Sequence, residues 1–158
     1  MERLVYIATF AAALGSGVVA GVFFAFSTFV MGALGRLPQA AGISAMQSIN
    51  IVVINPVFLS VFIGTAIVSV ALTIAALIGW APPRSLYLVA GGVLYFAGCF
   101  LVTMLCNVPL NDALAAVAPD SAEGAKMWAR YLTEWTNWNS VRTAASLAAS
   151  AFFILALG

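Results

Sequence analysis

The sequence predicts an all-α integral membrane protein, a four-helix bundle whose fourth helix extends beyond the membrane. Three observations predict it. Hydrophobic residues make up 64% of the 158-residue chain and charged residues 7%, where a soluble domain carries about a quarter charged. The charges are also sparse along the chain, with none between Arg3 and Arg36, Arg36 and Arg84, or Arg84 and Asp112. Beyond Ser121 there is neither a proline nor a turn signal, so that stretch reads as one continuous helix.

About 20 apolar residues cross the hydrocarbon core. The first span falls near 4–34. It is long enough to tilt, and too long for the apolar region of a cleaved leader, so it is expected to be retained. Residues 35–55 contain Pro38, Gln39, Gln47, Ser48 and Asn50, which suit a loop and a short helix at the interface. A second span lies near 56–80. Ala81-Pro82-Pro83-Arg84-Ser85 is a tight turn, because two prolines cannot continue a helix. A third span lies near 86–106. Residues 107–137 form a hydrated segment with Asp112, Asp120, Glu123, Lys126, Arg130 and Glu134. Asp120 with Glu123 matches a capping box, and Glu123/Lys126 and Arg130/Glu134 have helix-surface spacing.

The fourth span follows from a length argument. The sixteen residues after Arg142 reach about 24 Å as a helix, short of the roughly 30 Å core. The span therefore starts near Trp138, at 138–157, and Arg142 sits about one turn inside. The chain reads as a single transmembrane domain over 1–158, with both termini on one side and segments 35–55 and 107–137 on the other. Positive charge on the two sides, Arg3 and Arg84 against Arg36, Lys126 and Arg130, does not orient it.

Several function classes are excluded. A net charge of +1 and the lack of a basic run leave no footprint for nucleic acid. There is no histidine, the acids lie in the hydrated segment, and no metal centre is expected. There is no glycine-rich phosphate loop. Cys99 and Cys106, seven residues apart, would lie about 10 Å apart along a helix, too far for a disulfide, and read as buried thiols. Ala13, Gly17, Gly21 and Ala25 form a small-residue stripe on the first span. It suits close packing against the small face of the last span, which carries Ala144, Ala145, Ser146, Ala148, Ala149, Ser150 and Ala151, or against another copy in a homo-oligomer.

Trp128, Tyr131, Trp135, Trp138 and Arg142 are spaced 3, 4, 3 and 4 along the fourth helix, one helical stripe. One reading is an aromatic belt at the membrane surface with Arg142 snorkelling outward. The other is the wall of a pocket with Arg142 and Asn139 at its floor, since charges inside a span are usually paired or functional. Gln47, Asn50, Asn107 and Asn111 stand on the same side of the bundle as this stripe. Capping and interface polarity account for Asn55 before Pro56. Convergence of Gln47, Asn50, Asn107, Asn111 and Asn139 on the stripe would make a pocket of amides, indoles and one permanent cation. Such a pocket suits a planar, lipophilic, weakly acidic aromatic molecule drawn from the bilayer.

Four stretches carry a family resemblance: Gly21-Val22-Phe23-Phe24-Ala25-Phe26-Ser27-Thr28-Phe29-Val30-Met31; Met46-Gln47-Ser48-Ile49-Asn50 with Asn55-Pro56-Val57-Phe58; Asn107-Val108-Pro109-Leu110-Asn111; and Trp135-Thr136-Asn137-Trp138-Asn139-Ser140-Val141-Arg142. In this order they resemble the anthrone oxygenase-like family of small four-helix membrane proteins. The resemblance implies oxidation of an anthrone to an anthraquinone by molecular oxygen with no cofactor, and a multi-pass location in a bacterial inner membrane. On that reading Arg142 holds the substrate oxyanion, and Asn107, Asn111 and Asn139 hydrogen-bond substrate or a peroxide intermediate. Trp135 and Trp138 stack on the rings, with Trp128, Tyr131, Gln47 and Asn50 completing the substrate site. Glu134 or Asp112 is the nearest sequence candidate for a base, acting through water. The competing expectations are a non-catalytic small-molecule carrier or accessory subunit, and a structural bundle.

Overall fold

The computed structural model describes residues 2–79, 81 and 83–158. The expected end of the second span at Trp80 and the Pro82 of the following turn lie outside the described residues. All regular structure among the described residues is helical: α1 (Glu2–Leu34), α2 (Gln39–Val52), α3 (Pro56–Ile78), α4 (Arg84–Ala115) and α5 (Ala122–Leu155). Helices α1, α3 and α4 are each long and apolar enough to cross a membrane. The chain is a helical membrane bundle of four long helices, with α2 as a short fifth across one end. Helix α5, whose apolar half carries Asn139 and Arg142, falls outside that group of three.

Local sequence explains the helix ends. Asn55 caps α3, its Oδ1 accepting the Phe58 amide at 3.0 Å, with Pro56 in the first turn, where a missing N–H costs nothing. At the start of α5 the capping residue is Ser121, not Asp120: Ser121 Oγ accepts the Gly124 amide at 2.9 Å. The box with Glu123 does not form, because the helix begins one residue later than the Asp120 pattern requires. Of the two expected ion pairs, Arg130–Glu134 forms at 2.9 Å, on the surface; among the described residues Glu123 and Lys126 make none. Cys99 and Cys106 are free thiols, the first buried and the second half-buried.

Helix α4 runs on past the expected exit at residue 106, through Pro109, to Ala115. Proline removes an amide and crowds the carbonyl four residues earlier. The backbone absorbs this in a π-helical turn, Thr103–Asn107, directly before it. Two more π-helical stretches lie at Leu94–Leu101 of α4 and Phe26–Val30 of α1. These wider turns close hydrogen bonds five residues apart, so side chains spaced by four stay on one face. Cys99, Thr103, Asn107 and Asn111 are so spaced.

Helix α1 packs most extensively on α5. Ser150 Oγ donates to the Ala13 carbonyl at 2.9 Å, and a Cβ on Gly17 would touch that hydroxyl at 3.4 Å. The expected small-residue contact is thus made at Ala13 and Gly17. Gly21, further along the stripe, faces open space, because α1 turns its buried face through Ser16, Val19, Ala20 and Phe23 instead. Gly98 brings α4 against α5, where a Cβ would fall 2.6 Å from that of Ala145. The core divides in two. One cluster fills the bundle around Phe23, Phe62, Tyr95 and Phe153; the other joins α2 to the end of the bundle through Ile43, Met46, Leu114, Trp128, Tyr131 and Trp135. The cavity described next lies between them.

Candidate functional site

A cavity of about 380 Å³ opens where the two cores meet, within the range of small-molecule sites, roughly 300–1,000 Å³. All five helices line it. Phe23 and Phe26 come from α1, Met46 and Asn50 from α2, Phe58 and Phe62 from α3, Phe100, Thr103 and Asn111 from α4, and Trp135 and Arg142 from α5. Its wall is almost wholly apolar, and among the described residues Arg142 is the one charged side chain in it.

Arg142 is 4% exposed. Its Nη2 donates to Asn139 Oδ1 at 2.7 Å and its Nη1 to Thr103 Oγ1 at 3.1 Å. The guanidinium lies 4.0 Å over the Phe23 ring and 5.2 Å over that of Trp135. Its Nε is buried and unpartnered. Among the described residues no carboxylate pairs with it, the ion pair found being Arg130–Glu134 on the surface. Two neutral acceptors and two aromatic faces hold the cation in place without neutralising it. The snorkelling alternative does not hold: the side chain turns into the bundle.

The sequence-predicted residues sort by geometry. Asn139, fully buried, stands behind the arginine. Its Nδ2 donates to the Phe23 carbonyl and to Ser27 Oγ, both at 2.7 Å, which leaves Oδ1 aimed at Arg142. Asn111 lines the cavity and its Oδ1 accepts two bonds, from Tyr131 Oη at 2.7 Å and Trp135 Nε1 at 2.8 Å. Asn50 lines it too, and its Nδ2 donates to Tyr131 Oη at 3.3 Å. Asn107 is fully buried beside the wall: its Nδ2 donates to the Trp135 carbonyl at 3.1 Å while its Oδ1 finds no partner. Burial holds the Tyr131 phenol well above the ordinary tyrosine pKa, and the hydroxyl stays a neutral donor.

Besides Asn107 and Asn139, which stand behind the wall, four more expected site residues do not line the cavity. Trp138 is 41% exposed and faces away from the bundle. A helix has 3.6 residues per turn, so a run of 3, 4, 3, 4 spacings drifts; here the buried stripe takes a step of four, from Trp135 to Asn139, and then three to Arg142. Gln47 is drawn to backbone, its Nε2 donating to the carbonyls of Leu114 at 2.9 Å and Val117 at 3.2 Å, where α4 ends beneath it. Trp128 and Tyr131 are buried one layer behind: Trp128 stacks on Tyr131 at a centroid distance of 5.9 Å, and Tyr131 on Trp135 at 5.5 Å. Of the five amides expected to converge, Asn50, Asn107, Asn111 and Asn139 do, and Gln47 does not.

Sequence reasoning missed Phe23, Thr103 and the phenylalanines of α3. Phe23 and Phe26 belong to an apolar motif that reads as span, and Thr103 reaches Arg142 only because of the wider turns of α4. Glu134 and Asp112 do not line the cavity. Among the described residues no three His, Cys, Asp or Glu side chains gather where they could hold a metal ion.

The arrangement can take in a flat apolar molecule, stack it against Trp135 and the phenylalanines, and offer one uncompensated cation to an oxyanion on its edge. In comparisons with known proteins, no curated protein and no solved structure matches the chain. A sequence model described as "Anthrone oxygenase" matches residues 56–152, the stretch that supplies Phe58, Phe62, Thr103, Asn111, Trp135 and Arg142. That is more than half of the protein, and the chain belongs to the anthrone oxygenase family.

Proposed function

We propose that the protein is a cofactor-independent oxygenase for a planar, lipophilic phenol of the anthrone type. The observation that carries the reading is the buried guanidinium of Arg142, without a carboxylate partner, at the wall of an apolar cavity. An anthrone loses a proton from the carbon between its rings to give an anion whose charge rests largely on oxygen. Arg142 favours that anion, because a preorganised cation in a dry site acts where charge develops. The anion's carbon adds molecular oxygen and takes up a proton to give a hydroperoxide. Loss of the second hydrogen from that carbon with cleavage of the O–O bond then yields the quinone and water. Trp135 stacks on the rings. Asn50, Asn111 and Thr103 are the polar groups within reach of substrate or peroxide. Asn139 and Asn107 serve as positioning residues, holding Arg142 and the Trp135 backbone.

The same reading completes the topology. Helix α5 enters the membrane near Trp138, which sits at the surface as an interfacial indole. Four spans then place both termini on one side, and α2 with the N-terminal half of α5 on the other. A second reading, a non-catalytic carrier or accessory subunit, is favoured by one feature: among the described residues no carboxylate, thiol or amine lines the cavity to act as a base. Oxygen uptake by the purified protein with anthrone separates the two. The oxygenase reading expects uptake well above the spontaneous rate. Saturable anthrone binding with uptake at the spontaneous rate would leave the carrier.

A further inference from the structure

We propose that the cavity is loaded sideways from the hydrocarbon layer, through a gap between α3 and the C-terminal half of α4, so that its ligand is an aromatic molecule dissolved in the membrane and not one delivered from water. The water-facing end is shut. Helix α2 lies across it, tied down by Gln47 to the Leu114 and Val117 carbonyls, by Gln39 to the Pro119 and Ser121 carbonyls, and by Asn50 to Tyr131. Beneath it Ile43, Met46 and Leu114 are buried. The side wall differs. Helix α3 packs on α4 along residues 84–101 but scarcely beyond them, where α4 passes through its Thr103–Asn107 turn and Pro109.

The cavity-lining residues that α3 and α4 expose at this gap are Ile63 at 41% and Met104 at 47%, with Ile54 of the α2–α3 connection exposed at its edge. The rim carries no charge, and both helices that bound it are long and apolar enough to cross a membrane. Apolar side chains exposed at such a place are solvated by acyl chains. A flat molecule passing edge-on between Ile63 and Met104 meets Phe100 and Phe62, then Trp135, and reaches Arg142 last. The gap orders the encounter, apolar rings first and oxyanion afterwards.

The proposal rests on the preceding reading only in taking the cavity as the ligand site, and its test needs no turnover. With Trp80, Trp128 and Trp138 replaced by phenylalanine, Trp135 is the remaining indole. In bilayers of phosphatidylcholine brominated along the acyl chain, its fluorescence is expected to be strongly quenched, and aqueous acrylamide to have little effect. The double variant Ile63→Phe/Met104→Phe, which narrows the gap, is expected to remove most of the lipid quenching. Quenching by acrylamide in preference to bromolipid, or lipid quenching unchanged by the narrowing, would overturn the proposal. Should the tryptophan replacements prevent folding, the otherwise intact protein is photolabelled with a membrane-dissolved aryl diazirine. Adducts on Phe100 and Trp135 that the double variant loses support the gap; adducts confined to the outer surface refute it. Anthrone-independent outcomes here, set beside the oxygen-uptake result, show which of the two readings has failed.

Discussion

Replacing Arg142 with methionine separates a working cation from a structural one. In the folded protein the guanidinium gains two hydrogen bonds, to Asn139 and Thr103, each of about 1.5–3 kcal/mol for a charged donor. It also gains two aromatic faces, at about 0.5–2 kcal/mol each. Against these stands the effective cost of burying an unpaired ion, several kcal/mol. The terms nearly cancel, and methionine fills much of the same volume. It leaves Asn139 Oδ1 without a donor, a loss of about 1–3 kcal/mol, while the Thr103 hydroxyl, which also loses the arginine, keeps its bond to the Cys99 carbonyl. Thermal unfolding in detergent is therefore expected to shift by no more than a few degrees. Anthrone-dependent oxygen uptake is expected to fall about 10²–10³-fold, the usual loss on removing a group that stabilises developing negative charge. Retained uptake would refute the catalytic assignment. A collapse of the melting temperature with uptake lost in proportion would show that Arg142 holds the bundle together and does nothing else.

Because the described cavity wall holds no base, uptake is expected to rise with pH along the substrate's own ionisation. The nearby cation favours the anion, so the midpoint lies below that of the free compound in the same membrane, and Arg142→Met moves it back up; equal midpoints in the two proteins contradict the pairing. Asn111→Leu strands both the Tyr131 hydroxyl and the Trp135 indole N–H, at about 1–3 kcal/mol for each buried orphan, and denaturant unfolding should show the loss. Trp138→Leu should leave uptake unchanged, whereas Trp135→Leu should abolish most of it; the reverse order would restore the stripe as read from spacing alone. Gly92→Ala puts a Cβ onto the Thr73 hydroxyl and within 2.7 Å of the Ser69 carbonyl, an overpacking cost of about 1–3 kcal/mol. Gly21→Ala meets nothing and should stay within about 0.5 kcal/mol of wild type, which melting curves will resolve.

How much of this was legible depended on whether a feature is set by composition, by chain length or by backbone register. The helices followed from apolar runs and a few caps, whereas the position of Arg142 on its stripe left two readings, snorkelling outward or the floor of a pocket, between which the sequence does not choose. The amides were recognisable because capping and interface polarity account poorly for Gln47, Asn50, Asn107, Asn111 and Asn139 taken together. Register was not recoverable. Trp138 and Asn139 are adjacent, and a small drift in the buried face decides which of them meets Arg142. The wider turns of α1 and α4 break the 3.6 period that sequence reading assumes, so Thr103 and Ser27, which hold the arginine and its partner, gave no signal. Pro109 was the nearest clue: the helix widens at Thr103–Asn107 just before it and continues to Ala115.

Those wider turns explain why the site can exist in so apolar a bundle. A polar group buried in lipid must be matched, and matching across helices requires side chains to stay in line for several turns. On α4 the four-residue spacing of Thr103, Asn107 and Asn111 does this: the first meets Arg142, the second the Trp135 carbonyl and the third the Trp135 indole. On α1 the Phe23 carbonyl and Ser27 hydroxyl, again four apart, receive one asparagine amide. These groups are thus matched by protein, although Asn107 Oδ1 and Arg142 Nε are left without partners. The positive charge of Arg142 is the large term left unbalanced. On the proposed oxygenase reading, this whole charge without a carboxylate partner beside an apolar cavity is where the substrate anion is held.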